Sequence, residues 1–292
     1  MRAHAQICTA VPAIAWEECA CLLCGSPRLA PLLEGADPHA NLRFLIVRCE
    51  RCGLCFTNPR PDAESIRRFY AADYRCHQSR DDAKQRPEPL AKLLPMRGQK
   101  RLLDFGCGGG AFLQRMHAVG WNVVGLDASE AAVTQVRERG LEAHLGSLPH
   151  LDWTSERFEA ITMRQSLEHT HQPLDTLRDA YRLLTPGGNL LVAVPNFESW
   201  GSRVFGSAWY GLDLPRHLTH FTPATLRLML EQAGFSHLAI RQEQHNSWIR
   251  HSAERRAGMM ARVLRTRLGS GIAGAWGRLL GCAEGIAALA IK

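Results

Sequence analysis

An α/β fold built on a mostly parallel sheet, preceded by a small metal-binding module, is the architecture this sequence predicts. Three observations carry it. From Lys100 onward, short apolar runs alternate with helical segments, the pattern of strands covered by helices on both faces. The first run ends in a glycine-rich turn, Gly106-Cys107-Gly108-Gly109-Gly110, that opens a helix. Upstream, Cys21-Leu-Leu-Cys24-Gly25 and Cys49-Glu-Arg-Cys52-Gly53 place two cysteine pairs at metal-ligand spacing.

Bulk properties set the bounds. A chain of 292 residues accommodates one α/β core and a small accessory module. With 46% hydrophobic and 22% charged residues it reads as a soluble globular protein. No apolar stretch approaches the roughly 18 residues of a membrane span. The first sixteen residues are broken by Thr9 and Pro12 and make a poor signal peptide, so 1–16 reads as a tail. Most of the ten cysteines crowd into the first third, which favours metal in a reducing cytoplasm over a disulfide framework. The net charge of +7 suits an anionic partner, whether nucleic acid, lipid or phosphorylated substrate, and selects none.

Residues 17–60 read as a zinc-ribbon-like module with a strand at Phe44-Leu45-Ile46-Val47. Each Cys-x2-Cys knuckle turns two thiolates toward one centre, and the following glycine lets backbone N–H groups approach sulfur. Cys21, Cys24, Cys49 and Cys52 together complete a tetrahedral site, closed and therefore structural. Cys19 and Cys55 are nearby thiols open to a different pairing. Residues 61–98 read as a linker helix, Ala63 to Tyr74 with Ile66, Phe69 and Tyr70 on one face, and a polar lid from His77 to Pro95.

The catalytic domain is expected over 99–248. Strands are expected at Leu102–Phe105, Asn122–Leu126, Glu142–Leu145, Phe158–Met163 and Asn189–Val194, with helices at Ala111–Val119, Glu130–Arg139 and Pro173–Leu184. Gly106, Gly108 and Gly110 permit a tight turn and close backbone approach, and the helix N-terminus offers N–H groups to a carboxylate. A cofactor with an amino-acid tail fits, with Asp104 accepting from its ammonium group. Asp127, ending the second strand about twenty positions on, is placed to take both ribose hydroxyls. Cys107 reads as a small residue filling the turn.

The order Asp-x-Gly-Cys-Gly-x-Gly resembles motif I of the class I S-adenosylmethionine-dependent methyltransferases, and later motifs follow in family order. Phe158-Glu159-Ala160-Ile161, Ser166-Leu167-Glu168-His169 and Leu184-Thr185-Pro186-Gly187-Gly188 are closest to the ubiquinone-biosynthesis O-methyltransferase branch. Arg216-His217-Leu218-Thr219-His220-Phe221 resembles a recurring C-terminal element of that branch. The resemblance implies a Rossmann-like, seven-stranded sheet and S-adenosyl-L-methionine as cofactor. It implies an adenine contact at Ser147-Leu148, where Ser147 stands in place of the usual Asp, and it adds Ala128 and Arg164 to the cofactor set.

Methyl transfer from a sulfonium is an in-line displacement, so a base is needed only when the acceptor must lose a proton. His169, just beyond the fourth strand at the ligand-binding edge, is the first candidate, its alternative role being to orient the loop. Glu168 beside it resembles the divalent-metal site of some relatives, without a recognisable second carboxylate. His217 and His220 are further candidates, after an aromatic stretch, Trp200 to Tyr210, expected to roof the acceptor pocket.

Phe235–Gln244 reads as strand six, and the resemblance then implies an antiparallel seventh strand, for which 282–292, with Ile286–Ile291, is the candidate. Between them, 249–281 is a basic helical insertion in which Met259, Met260, Val263 and Leu264 interleave with arginines. It reads either as a solvated face or as a peripheral contact with membrane or nucleic acid. The leading functional reading is methyl transfer, foremost to oxygen, on a small-molecule, glycan or lipid-linked acceptor. RNA methylation through the zinc module and basic surface is the second. A non-catalytic binding module is the third, resting on Ser147 and Glu159.

Overall fold

The computed structural model describes residues 14–37, 42–70, 100–150 and 152–292. The first part is a ribbon. Strand β1 (Trp16–Glu17) pairs antiparallel with β5 (Arg60–Pro61), while β2 (Leu29–Asp37), β3 (Leu42–Cys49) and β4 (Cys55–Thr57) form an antiparallel meander. In place of the helix expected from Ala63 to Tyr74, one 3-10 turn spans Ser65–Phe69. Asp62 Oδ1 accepts from the Ser65 N–H at 2.8 Å and starts the turn, and Tyr70 leaves it with extended backbone. Positions 71–74, the expected lid from His77 to Pro95, and most of the N-terminal tail lie outside the described residues.

The main sheet holds β6 (Arg101–Phe105), β7 (Asn122–Asp127), β8 (Glu142–Leu145), β9 (Phe158–Arg164) and β10 (Leu184–Pro195), all parallel neighbours where they pair. A short strand, β11 (Thr219–His220), leaves it. Strands β12 (Ser236–Glu243) and β13 (Gly285–Ile291) then complete seven strands in the order β12-β13-β10-β9-β6-β7-β8. Strand β13 runs antiparallel to both β10 and β12, as the sequence led us to expect.

The helices are α1 (Ala111–Ala118), α2 (Glu130–Glu138), α3 (Pro173–Leu183), α4 (Trp200–Phe205), α5 (Pro223–Gln232), α6 (Asn246–Glu254), α7 (Met259–Leu264) and α8 (Arg267–Leu279). Side chains alternate across each strand. Leu103, Val124, Ile161, Leu190 and Val192 therefore share one core with Leu177 of α3 and Leu226 and Met229 of α5. Leu102, Val123, Ala160 and Leu191 meet Phe112 and Leu113 of α1 and Val133 and Val136 of α2 on the other face. Each fully buried Leu or Ile contributes about 2 kcal/mol by apolar transfer, and burial on both faces fixes the strand register.

The ribbon is not closed by its own strands. Strand β11 adds to β4, with Thr219 opposite Phe56 and His220 opposite Cys55. The fourth strand of the ribbon sheet thus comes from beyond β10, and Leu54 and Phe56 join the same core as Phe221 and Leu174.

Candidate active site

The glycine-rich turn follows β6 as the sequence requires. Gly106, Gly108 and Gly110 all have left-handed φ, of +75°, +51° and +79°. A Cβ on Gly106 would lie 2.5 Å from Ser166 Cβ, and one on Gly110 would lie 2.8 Å from Val136 Cγ2. Glycine is therefore needed for space as well as for backbone. Cys107 is buried with its sulfur against Gly125; burial, and then the Asp104 and Asp127 charges, push its thiol well up. It fills the turn as a neutral group.

Asp127, at the end of β7, is oriented before any ligand arrives. Its Oδ2 accepts from the Gly108 N–H at 2.9 Å and its Oδ1 from the Ser129 N–H at 2.9 Å, leaving each oxygen a further lone pair for a hydroxyl. Asp104 is buried and accepts from Thr162 Oγ1 at 2.6 Å. Burial raises its carboxyl to about 6, against the opposing pull of Arg164 and of the Thr162 hydrogen bond. Arg164 stacks over Phe112 in the first turn of α1, 4.3 Å from the ring centroid. Ala128 is exposed beyond Asp127, and Ser147 donates a long 3.4 Å bond to the carbonyl of buried Leu148. Glu159 sits at the start of β9, where it accepts from the Arg101 N–H at 2.8 Å, at the opposite end of the strand from this site.

The second cluster abuts the first. Ser166, which presses on Gly106, leads into a 3-10 turn, Leu167–His169. Glu168 is fully buried, and neither carboxylate oxygen finds a hydrogen-bond partner among the described residues. Burial pushes its carboxyl up to about 8, which favours the protonated form at neutral pH. Its Oε1 lies 3.9 Å from Nε2 of His217, whose Nδ1 is 2.9 Å from the Gly211 carbonyl oxygen. A carbonyl only accepts, so Nδ1 carries the proton and Nε2 is the free lone pair. The His169 ring meets His217 edge-on at 4.6 Å, and its Nδ1 is 3.0 Å from both the Arg216 carbonyl oxygen and the Tyr70 hydroxyl. Burial first, and His217 second, lower His169 to about 3.

Asp213 and Arg216 close the group. Arg216 grips Asp213 through two bonds of 3.0 and 2.6 Å and donates to the Phe69 carbonyl at 2.9 Å. Although burial opposes ionisation, Arg216 and His217 hold the Asp213 carboxyl well below the usual range. The result is a fixed negative charge 3.9 Å from His217 Nε2. Donor atoms of Glu168, His169 and His217 lie within 4.8 Å of one another, so the set can accept a proton or ligate a divalent cation.

His220 is turned elsewhere. Thr57 Oγ1 donates to the His217 carbonyl at 3.1 Å and so accepts from His220 Nε2 at 3.1 Å. Its ring also packs on Phe197, and burial lowers it to about 3. His220 ties β11 to the ribbon and does not join the three-residue group.

The four ribbon cysteines converge. Cys21 Sγ is 3.4 Å from Cys52 Sγ, Cys24 Sγ is 3.6 Å from Cys49 Sγ, and all four sulfurs lie within 4.8 Å of one another. Tetrahedral sulfurs bound at about 2.3 Å would stand about 3.8 Å apart, so the donor set fits zinc. Gly25 and Gly53, at φ +68° and +78°, complete the two knuckles, each returning an N–H to the carbonyl of Cys21 or Cys49. Cys19 instead contacts Asn58 Oδ1, and Cys55 the Gly53 carbonyl.

Sequence reasoning missed Tyr70, Asp213 and Arg216 as site residues, and Ser166, whose buried hydroxyl has no hydrogen-bond partner among the described residues. Only Asp213-x-x-Arg216, at helical spacing just before His217, carried a local signal.

The sequence pattern of the family described as a methyltransferase domain matches residues 74–240. The ubiquinone biosynthesis O-methyltransferase of Aeromonas salmonicida is 29% identical over 148 residues, 46% of this chain and 62% of that enzyme's length. Its namesake from Xanthomonas oryzae pv. oryzae is 30% identical over 175 residues, 52% of this chain and 73% of the other. A solved S-adenosylmethionine dependent methyltransferase from Mesorhizobium loti superposes with a TM-score of 0.51 at 19% identity, covering 70% of this chain and 95% of that one, a likeness of fold.

Proposed function

The chain belongs to the class I S-adenosylmethionine-dependent methyltransferase family, and on that footing we propose that it transfers a methyl group to a hydroxyl oxygen. The acceptor would be a small molecule, a glycan or a lipid-linked precursor. The observation that carries this reading is the contact of Gly106 with Ser166, which sets the cofactor turn directly beside the Glu168–His169–His217 group. Relatives named O-methyltransferases support oxygen as the methylated atom.

S-adenosylmethionine supplies an electrophilic methyl group on a sulfonium. The chain supplies position and a proton sink. Asp127 would take the ribose hydroxyls, and the turn at Gly106–Gly110 would offer N–H groups and the N-terminus of α1 to the amino-acid tail. Asp104 would accept from the ammonium group, whose positive charge would draw its carboxyl toward the ionised form. Neutral His169, half-buried and with Nδ1 engaged, presents Nε2 to the acceptor hydroxyl. As it takes the proton, the anionic Asp213 stabilises the imidazolium that forms.

Zinc held by Cys21, Cys24, Cys49 and Cys52 is structural in this reading, since four thiolates leave no open position. Cysteines gathered for metal rather than joined in disulfides support a reducing cytoplasm as the compartment in this reading. Calorimetric titration of zinc-replete protein with S-adenosylmethionine and S-adenosylhomocysteine tests the proposal. Both should bind, and Asp127→Ala should weaken both by about 10- to 100-fold through loss of two charge-assisted hydrogen bonds. Folded protein that binds neither would end the enzyme reading.

A further inference from the structure

Helices α7 and α8 are inside out. The face of α8 that packs inward consists of Gly269, Ser270, Ala273, Gly274 and Gly277, while Leu268, Ile272, Trp276 and Leu279 point to solvent. Spacings of four, four and three place those large side chains on one stripe of the helix. Leu268 is 75% exposed and Leu279 77%. On α7, Ala261 and Leu264 are buried while Met259, at 83%, Met260 and Val263 face out. A helix that merely covers a core turns its large apolar residues inward, and a soluble surface rarely gathers so many outside.

The charge on this insertion is overwhelmingly positive. Residues 249–281 contain seven arginines against Glu254 as the sole acid, and Arg262, Arg267 and Arg278 are exposed with no ion pair among the described residues. Beside Arg278 an open groove of about 550 Å³ is lined by Gln244, Asn246 and Gly274. The Gln244 amide and Asn246 Oδ1 have no partner there among the described residues. Nucleic acid would pair with the arginines but leave Leu, Ile and Met in water. A bilayer interface takes both, burying the apolar stripe below the headgroups and the guanidiniums among the phosphates.

Topology sets where this face lies. The insertion joins the end of β12 to the start of β13, and Glu243 pairs with Gly285 beside Pro195 at the C-terminal end of β10. That is the sheet edge carrying the Gly106 turn, Asp127 and the Glu168 group. No helix among the described residues is long and apolar enough to cross a membrane.

We propose that α7 and α8 form a docking face for an anionic phospholipid membrane, lying in its surface and bringing the active-site edge to the bilayer. The docking face stands independently of the methyl-transfer reading, which S-adenosylhomocysteine binding tests separately.

Flotation of the full-length, zinc-replete protein with vesicles tests it. The protein should float with phosphatidylcholine vesicles containing about 30 mol% phosphatidylglycerol, far less with phosphatidylcholine alone, and less in about 0.5 M salt. Leu268→Ser/Ile272→Ser/Leu279→Ser and Arg262→Gln/Arg267→Gln/Arg278→Gln should each lower partitioning at least about tenfold, with S-adenosylhomocysteine affinity unchanged as the measure of folding. Three results would overturn the proposal. One is wild type that binds S-adenosylhomocysteine but stays with the unbound fraction. Another is an apolar variant that floats normally and only shifts a dimer to monomer. The third is RNA binding lost in the arginine variant while flotation of both variants is unaffected.

Discussion

Glu168 is the residue on which the protonation of the site turns, because no side-chain or backbone donor among the described residues hydrogen-bonds its carboxylate. Its oxygens lack hydrogen-bond partners among the described residues, and burial lifts the carboxyl to about 8, whereas the unfolded chain would ionise near 4.3. Across that interval the folded state holds the extra proton, so stability is greatest at low pH and is lost as pH rises through the folded value. His169 and His217 are shifted the opposite way, and their linkage acts below about 6.5. A comparison with Glu168→Gln therefore isolates the carboxyl. Between pH 5 and 8, denaturant unfolding of wild type should lose about 2 to 4 kcal/mol relative to the variant. Parallel curves would mean that Glu168 is ionised throughout, held by a cation bound with His169 and His217.

At the level of elements, the turn into α1 shows what a local pattern can and cannot encode. The strand, the glycines and the acidic residue one strand later lie within about twenty-five positions, and all were legible. The helix expected after Ala63 was not, because the apolar face of Ile66 and Phe69 is equally served by a 3-10 turn against the ribbon. Tyr70, Asp213 and Arg216 escaped for a related reason: they meet His169 from segments about 45 to 100 residues away in sequence, and no periodicity reports such contacts. Gly110 tests the turn. Alanine there would hold φ near +79° and press on Val136 Cγ2 at 2.8 Å, so Gly110→Ala should destabilise by about 1 to 3 kcal/mol and weaken S-adenosylhomocysteine binding. Adding Val136→Ala should relieve the contact but not the strain, giving a coupling of about 0.5 to 1.5 kcal/mol in a double-mutant cycle. Strict additivity would remove the steric account.

For the molecule as a whole, the decisive feature is the sheet shared between the ribbon and the catalytic core. Composition and motif spacing suggested a small module ahead of a catalytic domain, and nothing local announced that Thr219 and His220 would pair with Phe56 and Cys55. The connection continues inward. The Cys49 N–H bonds to the Leu54 carbonyl, the Thr57 N–H to that of Leu218, and the Leu218 N–H to that of Glu168, each at 2.8 to 2.9 Å. A zinc ion held by the four cysteines would fix one end of a path that runs through these bonds and β4 to the active-site turn. Because Leu54 and Phe56 also pack in the core that contains Phe221, ribbon and core should unfold together. Calorimetry of the zinc-loaded protein should show one transition, and metal withdrawal by a chelator should move that whole transition down by about 5 °C or more. Amide exchange at Thr57 and Leu218 should accelerate by at least about tenfold under the same treatment, while S-adenosylhomocysteine affinity, held by the Gly106 turn and Asp127, should change by less than about threefold. Two separate transitions, with the upper one indifferent to zinc, would show instead that the ribbon is an independent appendage and that β11 merely rests against it.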